Sequence, residues 1–236
     1  MNQPEFDRYS ASYLDLLKDP VRDFFAGKEP GFFQTRKRDL IRDYFRNKRI
    51  DPTGHDFLDI GCGKGELLSL LSHDFASCAG CDPSPAMIRS TQGFDLQVQS
   101  GLGGVPFDDA RFNFVTAVCV YHHVPPAHRL GLTREAYRVL KPGGVFGIIE
   151  HNPLNPATRL IVGRTPVDAN AVLLSASETC RWMRMAGFHI DQLRYFLYVP
   201  QFAYRRIGRK IESWLGKIPF GGQYALFGIK AITHND

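Results

Sequence analysis

The segment that most constrains the fold is Phe57-Leu58-Asp59-Ile60-Gly61-Cys62-Gly63-Lys64-Gly65-Glu66-Leu67-Leu68. A short, mostly apolar run leads into three alternate glycines, and a helix-forming sequence follows directly. Glycines at such positions permit a sharp turn and let a ligand approach the main chain closely. The pattern predicts a buried strand, a glycine turn and a helix, which is the opening unit of many α/β sheets.

From residue 57 to residue 149, short apolar runs alternate with segments of helical periodicity. Strands are predicted at Phe57–Ile60, Cys78–Cys81, Phe114–Val120 and Val145–Ile149, and helices at Glu66–Leu71, Pro85–Arg89 and Leu130–Leu140. This alternation is typical of βαβ units, which assemble into a parallel sheet with helices on its faces. A helix at Glu178–Gly187 and strands at Gln192–Val199 and Tyr224–Ile232 follow, and we expect the two strands to close the sheet as an antiparallel pair.

Composition adds few constraints. The chain has 236 residues, 44% hydrophobic and 22% charged, a length and balance that predict one α/β domain and exclude disordered and fibrous chains. The net charge of +5 permits an anionic partner without requiring one. No apolar run approaches the roughly 18 residues that span a bilayer, so we expect no transmembrane segment.

The five cysteines are an odd number and are spread widely, as is typical of free thiols in a reducing compartment. The first residues show no signal-peptide pattern, so we expect a cytoplasmic protein. Cys78 and Cys81 have the spacing of a metal or redox pair, but no second such pair and no histidine pair accompanies them. We therefore predict structural cysteines and no metal site.

The glycine loop can be compared with two classes of nucleotide cofactor. A dinucleotide fingerprint needs G-x-G-x-x-G, whereas Gly65 comes one residue early and Glu66 occupies the place of the third glycine. Asp59 and Glu66 would also repel a pyrophosphate, but they would attract the ammonium and sulfonium groups of S-adenosylmethionine (SAM). Asp82 follows the next apolar run about 20 residues after Gly61, the distance expected for a carboxylate that binds ribose.

Several motifs, taken in order, resemble those of class I SAM-dependent methyltransferases. They are Asp59-Ile60-Gly61-Cys62-Gly63-Lys64-Gly65, Cys81-Asp82-Pro83-Ser84-Pro85-Ala86-Met87, Val105-Pro106-Phe107, Phe112–Val115, Tyr121-His122-His123-Val124 and Arg138–Gly144. The likeness extends over roughly residues 55 to 150. It implies a Rossmann-like, doubly wound sheet of seven mostly parallel strands with the last strand antiparallel, preceded by N-terminal helices.

The same resemblance implies an organisation for the single predicted domain, 1–236. Residues 1–50 would form an N-terminal helical cap, residues 51–150 the SAM-binding core, and residues 151–236 a substrate-side segment with the C-terminal strands. SAM would bind across the first two strands and leave as S-adenosylhomocysteine, with the acceptor above the end of the fourth strand. The expected cofactor-binding residues are Asp59, Gly61, Cys62, Gly63, Gly65, Asp82, Pro83, Met87, Leu102 and Tyr121.

Two positions depart from the family pattern. Ser100-Gly101-Leu102 stands where an acidic residue usually bonds the adenine, and Asn113 replaces a common aspartate. The resemblance therefore implies that adenine is held by backbone groups and by packing against Pro83, Met87 and Leu102.

Transfer of a methyl group from a sulfonium is an in-line displacement, so the protein must chiefly align the acceptor with the methyl group. A general base is needed only when the attacking atom must lose a proton. The candidates are His122 and His123 after the fourth strand and Glu150 and His151 after the fifth, because ligands bind at the carboxyl ends of strands in open sheets. The sequence leaves open which of them acts, and whether the histidines are catalytic or structural.

The acceptor class is open as well. We expect transfer to an oxygen or nitrogen of a small molecule, such as a natural product, a sugar or a lipid-linked metabolite. A nucleic-acid methyltransferase is one alternative, although Tyr121-His122-His123-Val124 differs from the Asn-Pro-Pro-Tyr type of motif and no RNA-binding module is visible. An inactive, SAM-binding regulatory protein is another.

Two basic segments have alternative interpretations. Arg36-Lys37-Arg38 is predicted to lie on a solvated helix face. Residues 202–215 form a predicted amphipathic helix with Ile207, Ile211 and Trp214 on one face and Lys and Arg largely on the other. This helix either packs its apolar face on the sheet or makes peripheral contact with a membrane.

Overall fold

The computed structural model of the chain describes residues 5–27, 31–89, 91–101 and 104–232, apart from the side chains of Glu5, Leu14, Arg205 and Arg209. One sheet contains the strands β1 (Asp56–Ile60), β2 (Ser77–Asp82), β3 (Asp95–Val98), β4 (Phe112–Val118), β5 (Leu140–His151), β6 (Phe188–Phe196) and β7 (Gln223–Lys230). The α-helices are α1 (Tyr13–Leu16), α2 (Pro20–Ala26), α3 (Phe32–Lys48), α4 (Glu66–Leu71), α5 (Pro85–Ile88), α6 (Pro126–Val139), α7 (Pro156–Arg164), α8 (Ala176–Met185), α9 (Gln201–Ala203) and α10 (Arg209–Leu215). No helix in these described ranges is long and apolar enough to cross a bilayer.

The strands lie in the order β3-β2-β1-β4-β5-β7-β6. Strands β1 to β5 pair in parallel with one another. Strand β7 runs antiparallel to both β5 and β6. The predicted Rossmann-like sheet of seven mostly parallel strands with an antiparallel last strand is confirmed. The order reverses between β1 and β4, and ligands bind at the carboxyl ends of strands beside such a reversal.

Strand bounds depend partly on pairing that the local sequence does not show. β6 begins at Phe188, before the predicted start at Gln192, and it ends at Phe196 rather than at Val199. Its first residue pairs with Lys230 near the end of β7, a contact between distant parts of the chain. That long-range pairing extends the strand through the polar residues that follow Phe188.

The apolar side chains of β1 alternate between two cores. Leu58 and Ile60 lie in a core to which α6 and α8 contribute, whereas Phe57 lies in a core with α3 and α4. In the second core the rings of Phe57, Phe75 and Phe114 stack on one another, with centroids 4.9, 5.4 and 5.7 Å apart. Apolar burial on both faces fixes the sheet and therefore the positions of its strand ends.

The predicted helix over residues 202–215 is interrupted. A π-helical turn, Tyr204–Gly208, separates α9 from α10. Ile207 and Trp214 are exposed, which argues against the alternative in which this apolar face packs on the sheet. The π turn contains more residues per turn than an α-helix, which changes the phase between the two halves. Among the described side chains of α10, the buried one is Glu212.

Arg36 on α3 connects the N-terminal helices to α10. Its Nη2 lies 2.6 Å from Glu212 Oε2, and both side chains are almost fully buried. Glu212 also accepts a hydrogen bond from the Leu197 amide, and the Arg36 guanidinium stacks over the Tyr204 ring at 4.1 Å. The prediction that Arg36 lies on a solvated face is wrong, because this carboxylate compensates for the burial of its charge.

We expect Arg36→Met to lower the free energy of unfolding by about 3–5 kcal/mol, because the substitution leaves the buried Glu212 carboxylate unpaired. Urea unfolding followed by circular dichroism measures this loss. The exposed pair between Arg46 and Asp43 offers a control, since Arg46→Met should cost less than about 1 kcal/mol. Equal losses in the two variants would contradict a special role for the buried pair.

Candidate active site

A cavity of about 860 Å³ opens at the carboxyl ends of β1, β2, β4 and β5. Its volume is in the upper part of the range of roughly 300–1,000 Å³ for ligand sites, so a cofactor and an acceptor can share it. Phe6, Tyr13 and Phe25 line it from the N-terminal segment. The Asp7 carboxylate accepts hydrogen bonds from the Ser84 hydroxyl and the Ala86 amide, which fixes this segment beside the cavity.

Three glycines shape the loop after β1. Gly61, Gly63 and Gly65 have φ angles of 69°, 52° and 69°, which other residues rarely adopt. A Cβ on Gly61 would lie 2.4 Å from a methyl carbon of Val120, and one on Gly65 would lie 2.6 Å from the Thr91 methyl carbon. Gly61 and Gly63 line the cavity, whereas Gly65 shapes the turn at the start of α4.

Asp82, at the end of β2, supports the glycine loop from the side. Its Oδ2 accepts a hydrogen bond from the Gly63 amide at 2.9 Å, and its Oδ1 accepts one from the Ser84 amide at 2.8 Å. Burial raises the pKa of Asp82, although both amides act in the opposite direction. Each carboxylate oxygen has a further lone pair, so Asp82 can also accept hydrogen bonds from a ligand in the cavity that it lines with Pro83 and Met87.

Asp59 lies at the end of β1, beneath the loop. Its Oδ1 accepts a hydrogen bond from the Thr116 hydroxyl at 2.7 Å. Burial raises the pKa of the Asp59 carboxyl to about 7, while Thr116 and the Lys37 charge oppose the shift. A cationic ligand would favour the ionised carboxylate because opposite charges attract. Asp59 is therefore suited to an ammonium or sulfonium group.

Lys37 is a cavity residue that the sequence analysis missed. It lies on the buried face of α3 with Ile41 and Tyr44, so its predicted place on a solvated face is wrong. The spacing of residues 37, 41 and 44 carries the helical signal that could have shown this. Lys37 is 5% exposed, and its Nζ lies 3.3 Å from Cys119 Sγ. Among the described residues, no carboxylate forms a salt bridge with it.

Cys119 and Gln223 complete a polar patch around Lys37. Cys119 has a left-handed φ of 57°, and its Sγ lies 3.6 Å from Gln223 Nε2. Although burial alone raises the pKa of a thiol, Lys37 and His151 together lower that of Cys119 to about 7. Within the described part of the chain, Gln223 Oε1 is buried without a hydrogen-bond partner. The patch therefore offers a ligand the ammonium group of Lys37 and the amide oxygen of Gln223.

Glu150, at the end of β5, organises the other side of the cavity. Its Oε1 accepts a hydrogen bond from the Tyr121 amide at 2.7 Å, and its Oε2 lies 2.6 Å from His122 Nδ1. The His151 amide donates a third hydrogen bond to Oε2 at 3.2 Å. Glu150 is fully buried, and it fixes the ring of His122, which lines the cavity.

Asp168, in the 3₁₀ turn Pro166–Asp168, approaches two histidines from the opposite side. Its Oδ1 lies 3.5 Å from His122 Nε2 and 3.4 Å from His123 Nε2. These separations exceed the usual hydrogen-bond limit of about 3.2 Å. A hydrogen-bonding atom of a ligand could therefore compete with Asp168 for either histidine. The Phe6 ring meets that of His123 edge-on, with centroids 4.9 Å apart.

The two carboxylates favour a positive charge on His122. Burial alone lowers the pKa of a histidine, but the Glu150 charge and the contacts with Asp168 and Glu150 raise that of His122 to about 10. Burial likewise opposes ionisation of Glu150, yet His122 holds the pKa of this carboxyl well below its usual range. The same opposition between burial and His122 lowers the pKa of Asp168.

The spacing of this cluster would also suit a cation. His122, His123 and Asp168 each place a ligand atom within 4.8 Å of the others. A histidine must be neutral to bind a metal ion, however, and the neighbouring carboxylates favour the protonated form of His122. A proton and a metal ion would therefore compete for His122 Nε2.

The structure brings most of the predicted site residues to the cavity. Asp59, Gly61, Cys62, Gly63, Asp82, Pro83, Met87, His122, His123 and His151 line it. Tyr121 lies in the core instead, where its hydroxyl is 2.9 Å from that of Thr133, and Glu150 lies behind His122. Leu102 falls outside the described residues. Asn113 bonds the Asp56 amide at the other end of β4 and therefore does not affect the cavity.

Comparison with known proteins identifies similar methyltransferases. Residues 58–148 match the family model described as a methyltransferase domain. An uncharacterized methyltransferase of Synechocystis sp. is 33% identical over 115 residues, covering 46% of this chain and 53% of that protein. The chain thus spans about half the length of that relative. A ubiquinone biosynthesis O-methyltransferase of Xanthomonas axonopodis pv. citri is 24% identical over 189 residues, covering 73% and 78% of the two chains.

Two solved structures share the fold over almost their whole length. A SAM-dependent methyltransferase from Thermotoga maritima superposes with a TM-score of 0.66 at 19% identity, covering 95% of this chain and 98% of that one. A Haloferax volcanii methyltransferase, solved in complex with the methyltransferase activator Trm112, gives 0.65 at 21% identity, covering 98% and 100%.

The fold and the site thus define a Rossmann-like protein with a glycine loop after β1 and a cavity beside the strand reversal. The family match and the motifs at Asp59–Gly65 and Cys81–Met87 identify it further. Residues 58–148 thus form a methyltransferase domain of the class I, SAM-dependent type, and SAM is the methyl donor.

We expect Asp82→Ala to weaken the binding of S-adenosylhomocysteine by about 1–3 kcal/mol, because it removes acceptors for buried hydrogen-bond donors. Isothermal titration calorimetry measures the change. Asp95→Ala is the control, since this carboxylate is exposed on β3 and pairs with Arg111. Unchanged affinity in Asp82→Ala would show that the ribose binds elsewhere.

Proposed function

We propose that this methyltransferase acts on an oxygen atom of a small, hydroxylated and largely apolar acceptor. The observation that carries the proposal is the position of His122, held by Glu150 at the edge of the cavity and close to a second carboxylate, Asp168. In its neutral form such a histidine can bind a hydroxyl group and take its proton. An acidic hydroxyl, such as that of a phenol, is the acceptor best matched to a histidine of raised pKa.

The cofactor residues fit the charges of SAM. Asp59 and Asp82 provide carboxylates for the cationic groups and the ribose, while Met87 and Pro83 offer an apolar surface for the adenine. When bound, SAM supplies a methyl group whose bond to sulfur breaks as the acceptor attacks, with S-adenosylhomocysteine as the product. We assign Lys37 to the carboxylate of the methionine part, because a buried ammonium needs an anionic partner.

The acceptor side has one polar wall and several apolar ones. The polar wall contains His122, His123 and Asp168, while Leu17, Phe25, Phe33, Ile161 and Val167 are among the apolar lining residues. An acceptor with an apolar body would bury that body against these side chains and direct its polar atom towards His122. This division supports a small molecule over a polyanionic nucleic acid.

Proton transfer distinguishes an oxygen acceptor from a neutral amine. A hydroxyl becomes a strong nucleophile only as it loses its proton, whereas a neutral amine already carries a free lone pair. Neutral His122 can accept that proton at Nε2, and Glu150 then stabilises the resulting imidazolium through Nδ1. Glu150 is thus a positioning residue, and His122 is the proposed base. The O-methyltransferase activity named for the Xanthomonas relative supports an oxygen acceptor.

The acceptor class is tested by incubating the purified chain with methyl-labelled SAM and three matched probes, namely catechol, aniline and total tRNA. We expect labelled methyl ether from catechol and no transfer to aniline or tRNA. Label in aniline would contradict the oxygen assignment, and label in tRNA would favour the nucleic-acid alternative.

The five cysteines are free thiols, which supports the further proposal of a cytoplasmic location.

Lys37→Met tests the assignment of the methionine carboxylate. We expect S-adenosylhomocysteine to bind at least about tenfold more weakly, because a charge-assisted hydrogen bond contributes roughly 1.5–3 kcal/mol. Methylthioadenosine, which lacks the amino-acid part, should bind the variant and the wild type equally in calorimetry. Lys18→Met is the control, since Lys18 lines the cavity but is exposed and paired with Asp15. An equal loss for both ligands would contradict the assignment.

Glu150→Gln tests the control of the proton. In the wild type we expect kcat/KM for catechol to rise with pH towards about 10, because only neutral His122 accepts a proton. Removing the Glu150 charge lowers the pKa of His122, so the midpoint of the profile should move towards about 6.5. Initial rates across the pH range measure this midpoint independently of any loss in kcat.

Two controls accompany the pH profile. Glu178→Gln neutralises a carboxylate paired with Arg129 and should leave the midpoint unchanged. Dialysis of the wild type against EDTA should leave its rate unchanged. A midpoint that does not move in Glu150→Gln, or activity that needs an added divalent cation, would contradict the role proposed for His122.

A further inference from the structure

Two neighbouring segments, α2 and residues 201–220, expose large apolar side chains. Trp214 is 87% exposed, Phe220 66%, Phe202 63% and Phe24 58%. The Phe24 and Phe202 rings contact each other with centroids 5.9 Å apart, which joins the two segments into one surface. The basic-aromatic surface, as we call it, comprises Phe24, Phe202, Ile207, Trp214, Ile218 and Phe220 together with Arg206, Lys210 and Lys217.

The exposed charge of residues 201–220 is positive. Arg206, Lys210 and Lys217 are exposed, whereas the acidic residue of this segment, Glu212, is buried against Arg36. Pairing inside the protein thus removes the negative charge of residues 201–220 from the surface, while α2 keeps one exposed carboxylate, Asp23, beside Phe24. What remains combines aromatic rings with ammonium and guanidinium groups, a composition typical of segments that lie in a membrane interface.

This surface borders the mouth of the cavity. Asn155 lines the cavity, and its Nδ2 donates a hydrogen bond to the Phe220 carbonyl at 2.7 Å. The Tyr198 hydroxyl bonds the carbonyl of Leu215, and Tyr198 also lines the cavity. Gly27 also lines the cavity, and it packs closely against Gln201 at the start of α9. A Cβ on Gly27 would lie 2.5 Å from Gln201 Oε1. The main chain of residues 201–220 therefore contacts residues of the cavity wall.

We propose that the basic-aromatic surface binds an anionic lipid bilayer and places the mouth of the cavity at the membrane. Tryptophan and phenylalanine bury their rings among the lipids at the interface, and Trp is enriched there because its N–H stays near the headgroups. Lysine and arginine extend their charged ends towards lipid phosphates.

Charge favours a bilayer over a second copy of the chain. In a symmetric dimer the same patch meets itself, so the basic side chains of one copy would face the equally basic patch of the other. Like charges at such an interface oppose association, whereas anionic headgroups complement them. The proposal therefore commits to lipid.

Docking in this way would let an apolar acceptor pass from the bilayer into the cavity. That step rests on the proposed function, but lipid binding itself does not. A protein that binds vesicles and fails to methylate hydroxyl groups would refute the proposed function alone. A protein that methylates catechol and ignores vesicles would refute the lipid proposal alone.

Sedimentation of the full chain with vesicles tests the surface. At low salt we expect binding to vesicles that contain equal amounts of phosphatidylcholine and phosphatidylglycerol, and little binding to phosphatidylcholine alone. Trp214→Ser should weaken the binding about tenfold, because it removes an apolar side chain that the bilayer would bury. Lys210→Gln should weaken it about fivefold, as expected for the loss of one basic residue near an anionic membrane.

Matched controls separate binding from folding. Met185→Ser alters an exposed apolar side chain on α8, outside the surface, and should leave vesicle binding unchanged. All three variants should bind S-adenosylhomocysteine like the wild type in calorimetry. The chain has two tryptophans, so Trp182→Phe leaves Trp214 alone to report. Its fluorescence should shift to shorter wavelength with the anionic vesicles and stay constant with the neutral ones.

Three outcomes would overturn the proposal. They are no sedimentation with anionic vesicles at low salt, equal binding by Trp214→Ser and the wild type, and Trp214 emission that does not respond to lipid. Analytical ultracentrifugation without lipid tests the alternative that a second copy of the chain binds this surface. A wild-type dimer that Trp214→Ser converts to a monomer would show that the surface joins two copies of the chain.

Discussion

The carboxylate of Glu150 is the contact on which the histidine side of the cavity depends. It accepts hydrogen bonds from the amides of Tyr121 and His151 and holds Nδ1 of His122, so one buried group joins the loop after β4 to the end of β5. Burial of a charge is unfavourable unless the group is paired. Here the pairing fixes a histidine in the cavity and favours its charged form.

The side of the cavity formed by the glycine loop and α3 also contains buried charged groups. Asp59 and Asp82 are buried carboxylates at strand ends, and Lys37 is a buried ammonium without a carboxylate partner among the described residues. In the proposed complex, the ligand's ammonium group would pair with Asp59, its ribose hydroxyls would bond Asp82, and its carboxylate would pair with Lys37. The sheet sets these positions, since the strand order reverses between β1 and β4 and leaves their carboxyl ends open.

Local sequence predicted what depends on local chemistry. The alternate glycines and the alternation of strand and helix gave the sheet, and the resemblance placed most cavity residues, because backbone conformation and burial are written in short patterns. Lys37 was missed because its burial depends on packing of α3 against distant strands. Tyr121 was expected at the cofactor, but its ring fills the core. The exposure of Trp214 depends on the π turn Tyr204–Gly208, which the local sequence pattern did not predict.

The most direct test of the account is the charge of His122, read from the ¹⁵N chemical shifts of its imidazole during a pH titration by NMR. The account predicts an imidazolium that persists from about pH 6 to about pH 9, because Glu150 and Asp168 raise the pKa of this histidine. Titration near the ordinary value of about 6.5 would contradict it. His122 would then be a histidine that its neighbours do not control.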